Sequence, residues 1–205
     1  DSIGQIEVPA DKLWGAQTQR SLENFPIGQD KMPRDLIKAF AIQKKAAAIS
    51  NLAIGKLNQD LGEKIIEVCD ELIQGKLHEN FPLSVWQTGS GTQTNMNLNE
   101  VIANKANKLL GRDFGTYDPI HPNDHCNLGQ SSNDSFPTAM HIAIILQSNE
   151  RLIPKVQNLI NVLEKKKKQF QDVIKIGRTH LQDATPLTFG QELSGFSSQI
   201  SNSLK

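Results

Sequence analysis

The chain alternates between stretches of apolar residues at helical spacing and short polar segments. Apolar side chains recur every three or four positions across residues 36–48 and 65–73, and each run predicts a helix with one buried face. A third helix is predicted over residues 98–110, with Gly111 as a signal for its end. Residues 1–32 lack this period and are predicted to form loops or short extended pieces.

The pattern changes near residue 130, where longer apolar runs replace the short helices. Residues 138–149 are apolar around most of the helix surface, and another helix is predicted over residues 151–170. The apolar residues of this second helix form one stripe, made of Leu152, Val156, Leu159, Ile160 and Leu163. Both helices are predicted to lie in the core of a bundle. We therefore divide the chain into a domain over residues 1–130 and a domain over residues 131–205.

Three polar segments each precede a predicted helix: TGSGTQTNMN (88–97), GQSSNDSFPT (129–138) and GRTHLQDATP (177–186). A helix N-terminus presents free backbone N–H groups and partial positive charge, and Ser, Thr and Asn side chains add neutral hydrogen-bond donors. Together the segments predict a binding site for a small polyanionic ligand. The alternative is that these side chains are ordinary helix N-caps. A cap needs one such residue, however, and each segment carries several.

Composition narrows the classes of function. The 205 residues carry 22 basic and 22 acidic side chains, so no net charge favours nucleic acid or an anionic membrane as a partner. No apolar run reaches the ~20 residues of a membrane-spanning helix. Cys69 and Cys126 lie far apart without a CxxC motif, which is typical of a reduced intracellular protein and disfavours structural zinc. The lysine run at 165–168 is interpreted as a solvated helix face.

Several familiar sequence motifs are excluded because a required residue is missing at the necessary spacing. A dinucleotide-binding GxGxxG motif would need glycine at Thr94, and a GxSxG nucleophile elbow would need glycine at Asn133. His121 and His125 are spaced like metal ligands on a helix, but Pro122 predicts a loop there. We assign no metal site to these histidines.

His180 has two possible roles. A lone histidine is often a structural hydrogen-bonding residue, but its ordinary pKa also lies nearest neutrality and suits proton transfer. Beside Arg178 and Thr179 it is placed either to hold a carboxylate or to orient and deprotonate a water. The residues alone leave both roles open.

The motifs TGSGTQTNMNLNE, IHPND with NLGQSSNDSFPT, and GRTHLQDATPLTFGQE resemble, in order and spacing, the N-terminal half of class II fumarases, in the fumarase/aspartase superfamily. The resemblance extends from residue 11 to residue 205. It implies an all-α fold in which a small N-terminal helical domain precedes part of a long-helix bundle, the core of a homotetramer with shared active sites. It also implies reversible hydration of fumarate to (S)-malate in the tricarboxylic acid cycle, without metal or organic cofactor.

The resemblance also implies roles for particular residues. Substrate carboxylates are expected to be bound by residues from all three polar segments: Ser90, Gly91, Thr92, Ser131, Ser132, Asn133 and Thr179. His180 is the expected acid/base residue, acting through a water and reaching the site from a neighbouring subunit. A second anion site is expected at His121, Pro122, Asn123 and Asp124. Donors around a substrate carboxylate would stabilise the dianionic aci-carboxylate intermediate formed when malate loses the adjacent proton.

The other candidate base in this family is a serine on a mobile loop with the pattern GSSxMPxKxN, which does not occur in this sequence. The chain also begins without methionine and ends inside an amphipathic run. We therefore expect an N-terminal fragment that is inactive by itself. The segment HPNDHCN departs from the family pattern at His125 and Cys126, which leaves the details of the second anion site open.

Two alternative functions stay open. Aspartase-like ammonia lyases share NMN-NEV and HPND, but typically carry glutamine at position 180 and QSTND in place of QSSND, so fumarase is favoured. A non-catalytic structural homologue is disfavoured because it would have no need of Thr92, Ser132 and His180 together. The expected location is the bacterial cytoplasm or the mitochondrial matrix.

Overall fold

The structure is a computed structural model that describes residues 3–88, 91–113 and 115–205. These residues form seven α-helices and one antiparallel hairpin. The helices are α1 (Ala16–Asn24), α2 (Arg34–Ala53), α3 (Gln59–Ile73), α4 (Thr92–Leu109), α5 (Ser132–Gln147), α6 (Ile153–Gln169) and α7 (Phe189–Ser203). The hairpin strands are β1 (Ile174–Thr179) and β2 (Gln182–Thr188). Short 3₁₀ or π-helical segments lie at His78–Asn80, Pro122–Cys126 and Ser148–Leu152. The expected helical framework is confirmed, with the small hairpin added to it.

The apolar pattern misses α1 and places the start of α4 too late. α1 lies within residues 1–32, which the sequence predicts to be irregular, and α4 begins at Thr92 rather than at residue 98. The residues concerned are polar in both cases, reading AQTQRSLEN in α1 and TQTNMN at the start of α4. Polar side chains that are buried through hydrogen bonds leave no apolar period, which explains both errors.

The chain separates into two compact units, residues 1–144 and residues 145–205. α4 lies at the centre of the first unit, where its apolar face joins α2 and α3 in one hydrophobic cluster. Fully buried members of this cluster include Phe40, Val68, Leu72, Val101 and Ile102. The division into domains near residue 130 stays a prediction for the complete protein.

α4 also buries a series of asparagine side chains that bind loop backbones. The Asn104 side chain donates to the Leu13 carbonyl (2.8 Å) and accepts from the Gly115 N–H (3.1 Å). The Asn107 side chain donates to the Ile120 carbonyl and accepts from its N–H, each at 2.9 Å. Because these amides satisfy buried backbone groups, they fix the loops around α4.

The carboxylate of Glu100, in α4, binds the N-terminus of α1. It accepts backbone N–H bonds from Gly15 (3.0 Å), Gln17 (2.8 Å) and Thr18 (3.1 Å), and a hydroxyl bond from Thr18 (2.6 Å). A carboxylate at this position satisfies the free donors of the helix and matches its partial positive charge. A Cβ atom on Gly15 would overlap Glu100 and Tyr117, so glycine permits the contact. α1 is therefore held by a residue far away in sequence.

In the second unit, α7 packs against α6, and the hairpin lies between them in the chain. The Ser197 hydroxyl donates to Glu164 (2.7 Å), and the rings of Phe170 and Phe189 lie 5.4 Å apart. The apolar stripe of α6 is only partly buried in this chain: Ile160 is 9% exposed, whereas Leu159 is 46% exposed. The bundle-core location of the stripe stays a prediction for the complete protein.

We find no helix among the described residues that combines the length and the apolar character needed to cross a bilayer.

Candidate functional site

The candidate site lies where the N-termini of α4 and α5 meet. Thr92 is the first residue of α4 and Ser132 is the first residue of α5. Their hydroxyl oxygens lie 3.0 Å apart, and either hydroxyl can donate the hydrogen bond, although 40 positions separate the residues in sequence. The fold thus brings together two of the three polar segments.

Gly91 permits the close approach of these helix ends. It immediately precedes α4 with φ 70° and ψ 11°, in the left-handed region that favours glycine. It is buried, and a Cβ atom at this position would overlap the ring of Phe136 in α5. Ser90, the preceding candidate residue, lies outside the described residues.

The N-terminus of α5 is capped by Ser131. The Ser131 hydroxyl accepts from the N–H of Asn133 (3.3 Å), and the Ser131 carbonyl accepts from the N–H of Asp134 (3.1 Å). The ordinary capping interpretation therefore describes Ser131. It does not describe Ser132, whose hydroxyl contacts Thr92, and the Asn133 side chain is exposed at the same turn.

The arrangement suits a bound carboxylate. The first N–H groups of a helix lack partners within the helix, and the helix dipole places partial positive charge there. Two such ends, joined through the Thr92–Ser132 contact, concentrate backbone and hydroxyl donors in one place. Helix N-termini bind carboxylates and phosphates for this reason.

A buried polar network lies directly behind the α5 N-terminus. The Asn127 side-chain oxygen accepts from Asn95 (3.1 Å), Asn99 (3.3 Å) and Lys44 (3.0 Å). The Asn95 side-chain oxygen in turn accepts from the hydroxyl of Ser135 in α5 (3.4 Å). This network connects α2, α4 and the segment before α5, and it was not predicted from the sequence.

Lys44 is the charged member of the network. Its ammonium also donates to the side-chain oxygen of Gln130 (2.9 Å), one residue before Ser131. Burial lowers the pKa of Lys44 to about 8. A sequence signal for this residue exists: Lys44 stands four positions after Phe40 and four before Ala48, on the apolar face of α2, where charged residues are rare.

Three residues of the expected second anion site, Pro122, Asn123 and Asp124, begin a π-helical segment (Pro122–Cys126) that His121 caps, where the sequence predicts a loop. The His121 Nδ1 atom accepts from the N–H groups of Asn123 and Asp124, each at 3.2 Å. The Asp124 carboxylate lies 3.4 Å from the same nitrogen. Pro122 is buried, whereas Asn123 and Asp124 are exposed.

The third polar segment is a β-hairpin rather than a loop that opens a helix. Thr179 pairs with Gln182 across a two-residue turn, in which His180 has φ 50° and Leu181 has φ 60°. Positive φ at both positions is typical of a type I′ turn, which usually contains asparagine and glycine. This sequence lacks that signal, which explains the error. Thr179 and His180 are exposed and belong to the second unit, residues 145–205.

Comparison with known proteins identifies similar sequences and structures. The family model described as lyase matches residues 4–205. Class II fumarate hydratase of Helicobacter pylori is 56% identical over 203 residues, which are 99% of this chain and 44% of that protein. The chain thus spans less than half the length of this relative.

Two solved structures share the fold. A class II fumarase from Schistosoma mansoni superposes with a TM-score of 0.93 at 47% identity, over 98% of this chain and 43% of that one. A fumarate lyase:delta crystallin from Brucella melitensis superposes with a TM-score of 0.94 at 43% identity, over 98% of this chain and 46% of that one.

Proposed function

This chain belongs to the lyase family, and from that membership we propose that the complete protein is a class II fumarate hydratase. The proposed reaction is the reversible hydration of fumarate to (S)-malate, as a step of the tricarboxylic acid cycle. The observation that carries the proposal is the 3.0 Å contact between Thr92 and Ser132, which joins two helix N-termini. Their donors suit a small carboxylate ligand.

We propose that Gly91, Thr92, Ser131, Ser132 and Asn133, together with Ser90, surround one carboxylate of the substrate. When malate loses the proton beside that carboxylate, negative charge accumulates on the carboxylate oxygens. Donors already aimed at those oxygens stabilise the aci-carboxylate intermediate more than the substrate, and this lowers the barrier. Neutral hydroxyls and N–H groups stabilise this charge by donating hydrogen bonds, while they keep their own protons.

Thr179 and His180 are proposed to complete the site from a neighbouring subunit of a homotetramer. Their exposed position in the hairpin turn supports this, because an exposed turn is accessible to another protomer. His180 would orient a water that accepts the proton from malate, the usual work of a histidine near neutral pH. Further groups would come from the part of the protein beyond this chain, and residues 1–205 by themselves are expected to be inactive.

The residues from His121 to Asp124 are proposed to bind a second anion. The exposed side chains of Asn123 and Asp124 and the two N–H bonds to His121 Nδ1 support a polar site at this turn. The complete protein is proposed to act in the bacterial cytoplasm or the mitochondrial matrix.

The proposal is tested by measuring turnover of the complete protein. Loss of the ultraviolet absorbance of fumarate, with (S)-malate as the product, is the expected result, and the rate should persist after treatment with EDTA. Addition of ammonia in place of water, with aspartate as the product, would identify an aspartase-like enzyme instead. Absence of both products would overturn the proposal in favour of a structural homologue.

A further inference from the structure

Lys44 is almost fully buried although it carries an ammonium group. It is 1% exposed and lies on the apolar face of α2, with its Nζ atom 5.6 Å from the centroid of the Phe40 ring. Its hydrogen-bond acceptors are the neutral side-chain oxygens of Asn127 (3.0 Å) and Gln130 (2.9 Å). Among the ion pairs formed by the described part of the chain, none includes Lys44.

Stability alone does not explain a lysine at this position. Moving an ammonium out of water is unfavourable, and neutral acceptors compensate this cost only in part. The Cys69 and Cys126 thiols interact with Lys44, but burial raises the pKa of both, so they stay protonated and do not neutralise it. A methionine has similar length and volume and would fill the same space in the apolar core.

The bonds of Lys44 instead fix the segment that leads into the carboxylate site. Gln130 donates from its side-chain nitrogen to the carbonyls of Cys126 (3.2 Å) and Leu128 (3.4 Å), while its oxygen accepts from Lys44. The Asn127 amide nitrogen donates to the Gln130 carbonyl (3.1 Å). The ammonium therefore holds both ends of residues 127–130, which immediately precede the capping residue Ser131.

We propose that Lys44 is a positioning residue for dicarboxylate binding, acting through Asn127 and Gln130 on the turn that presents Ser131 and Ser132. This inference rests on the proposed function. The unneutralised ammonium adds positive charge behind this turn, so a bound dianion is favoured by both placement and charge. The bound dianion and the charged form of Lys44 then stabilise each other, because coupling between two sites is reciprocal.

The test compares Lys44→Met with Lys45→Met in the complete enzyme. Lys45 is the next residue of α2, is partly exposed and pairs with Asp70 of α3 at 2.6 Å, so its replacement removes a lysine charge outside the network. We expect Lys44→Met to raise both the KM for fumarate and the Kd for succinate, a saturated C4 dicarboxylate, by about tenfold. Lys45→Met should leave both values unchanged.

Gln130→Met provides a second variant, since it removes an acceptor of Lys44 and leaves the ammonium in place. It should raise the same two constants, and the double variant Lys44→Met/Gln130→Met should raise them by less than the product of the two single effects, because both variants remove the Lys44–Gln130 contact. If Lys44→Met does not fold, the KM for fumarate and the Kd for succinate of Gln130→Met test the positioning role of Lys44 by themselves.

Unchanged constants in the folded Lys44→Met enzyme, or in Gln130→Met, would overturn the positioning role. A purely structural lysine would lower the yield of folded enzyme or its thermal stability without changing the KM. Turnover of fumarate by the unmodified enzyme distinguishes a failure of the proposed function from a failure of the Lys44 inference. Its absence would refute the proposed function and this inference together, whereas turnover with unchanged constants refutes the inference alone.

Discussion

Replacing Gly91 by alanine adds one methyl group where the N-termini of α4 and α5 meet. At φ 70° an alanine costs about 1–2 kcal/mol relative to glycine. The new Cβ atom also overlaps the Phe136 ring, and overpacking of this kind costs about 1–3 kcal/mol more. The expected loss of stability is therefore about 2–5 kcal/mol. Because movement of Phe136 shifts the start of α5, the KM for fumarate should rise as well.

Gly111→Ala is the matched control for this prediction. Gly111 follows α4 with φ 74°, and a Cβ atom there meets no other atom within 4 Å, so only the backbone cost of about 1–2 kcal/mol applies. Urea denaturation of the complete protein, at the same protein concentration for each variant, gives the free energy of unfolding. An equal loss of unfolding free energy in both variants would refute the close contact between Gly91 and Phe136. An unchanged unfolding free energy in both variants would refute the left-handed backbone at the two glycines.

Three further predictions concern activity, buried charge and pH. His180→Asn should lower kcat of the complete enzyme by ~100-fold or more, the scale of a lost acid/base group, and an unimpaired variant would assign His180 to structure. Glu100→Gln should lower the free energy of unfolding by about 3 kcal/mol, because an amide group then faces the N–H donors of α1; an unchanged urea midpoint would contradict this. The pKa of Lys44 is lowered from 10.5 to about 8 in the folded protein, so the unfolded state binds more protons between these values and stability rises with pH there. Relative to Lys44→Met, the unmodified protein should gain about 2 kcal/mol between pH 7 and pH 10, and a parallel pH dependence of the two proteins would argue against a buried ammonium.

The helices that the sequence predicts well are those stabilised by apolar burial. α2 and α3 follow the periodic runs around Phe40 and Ile65, because removing an apolar face from water is what places these helices. α1 and the first turns of α4 depend instead on hydrogen bonds between distant residues, such as Glu100 with Thr18. No local pattern encodes such a bond, and so neither feature was predicted.

The candidate site likewise has features that the sequence predicts and features that depend on contacts between distant residues. Composition and family resemblance point to the segments that contain Thr92 and Ser132, but their contact depends on the packing of α4 against α5 at Gly91. The contact between Lys44 and Asn127 escaped prediction because the two residues lie 83 positions apart in sequence. A charged residue at an apolar position of a predicted helix was the one local sign of that network.

The central claim is that the donors at the joined N-termini of α4 and α5 bind a carboxylate of the substrate. A crystal structure of the complete assembly with a bound C4 dicarboxylate tests it most directly. We predict a carboxylate oxygen within about 3 Å of both the Thr92 and the Ser132 hydroxyl oxygens, at ordinary hydrogen-bond distance. A dicarboxylate bound elsewhere, with these two hydroxyls in contact only with each other, would contradict the account.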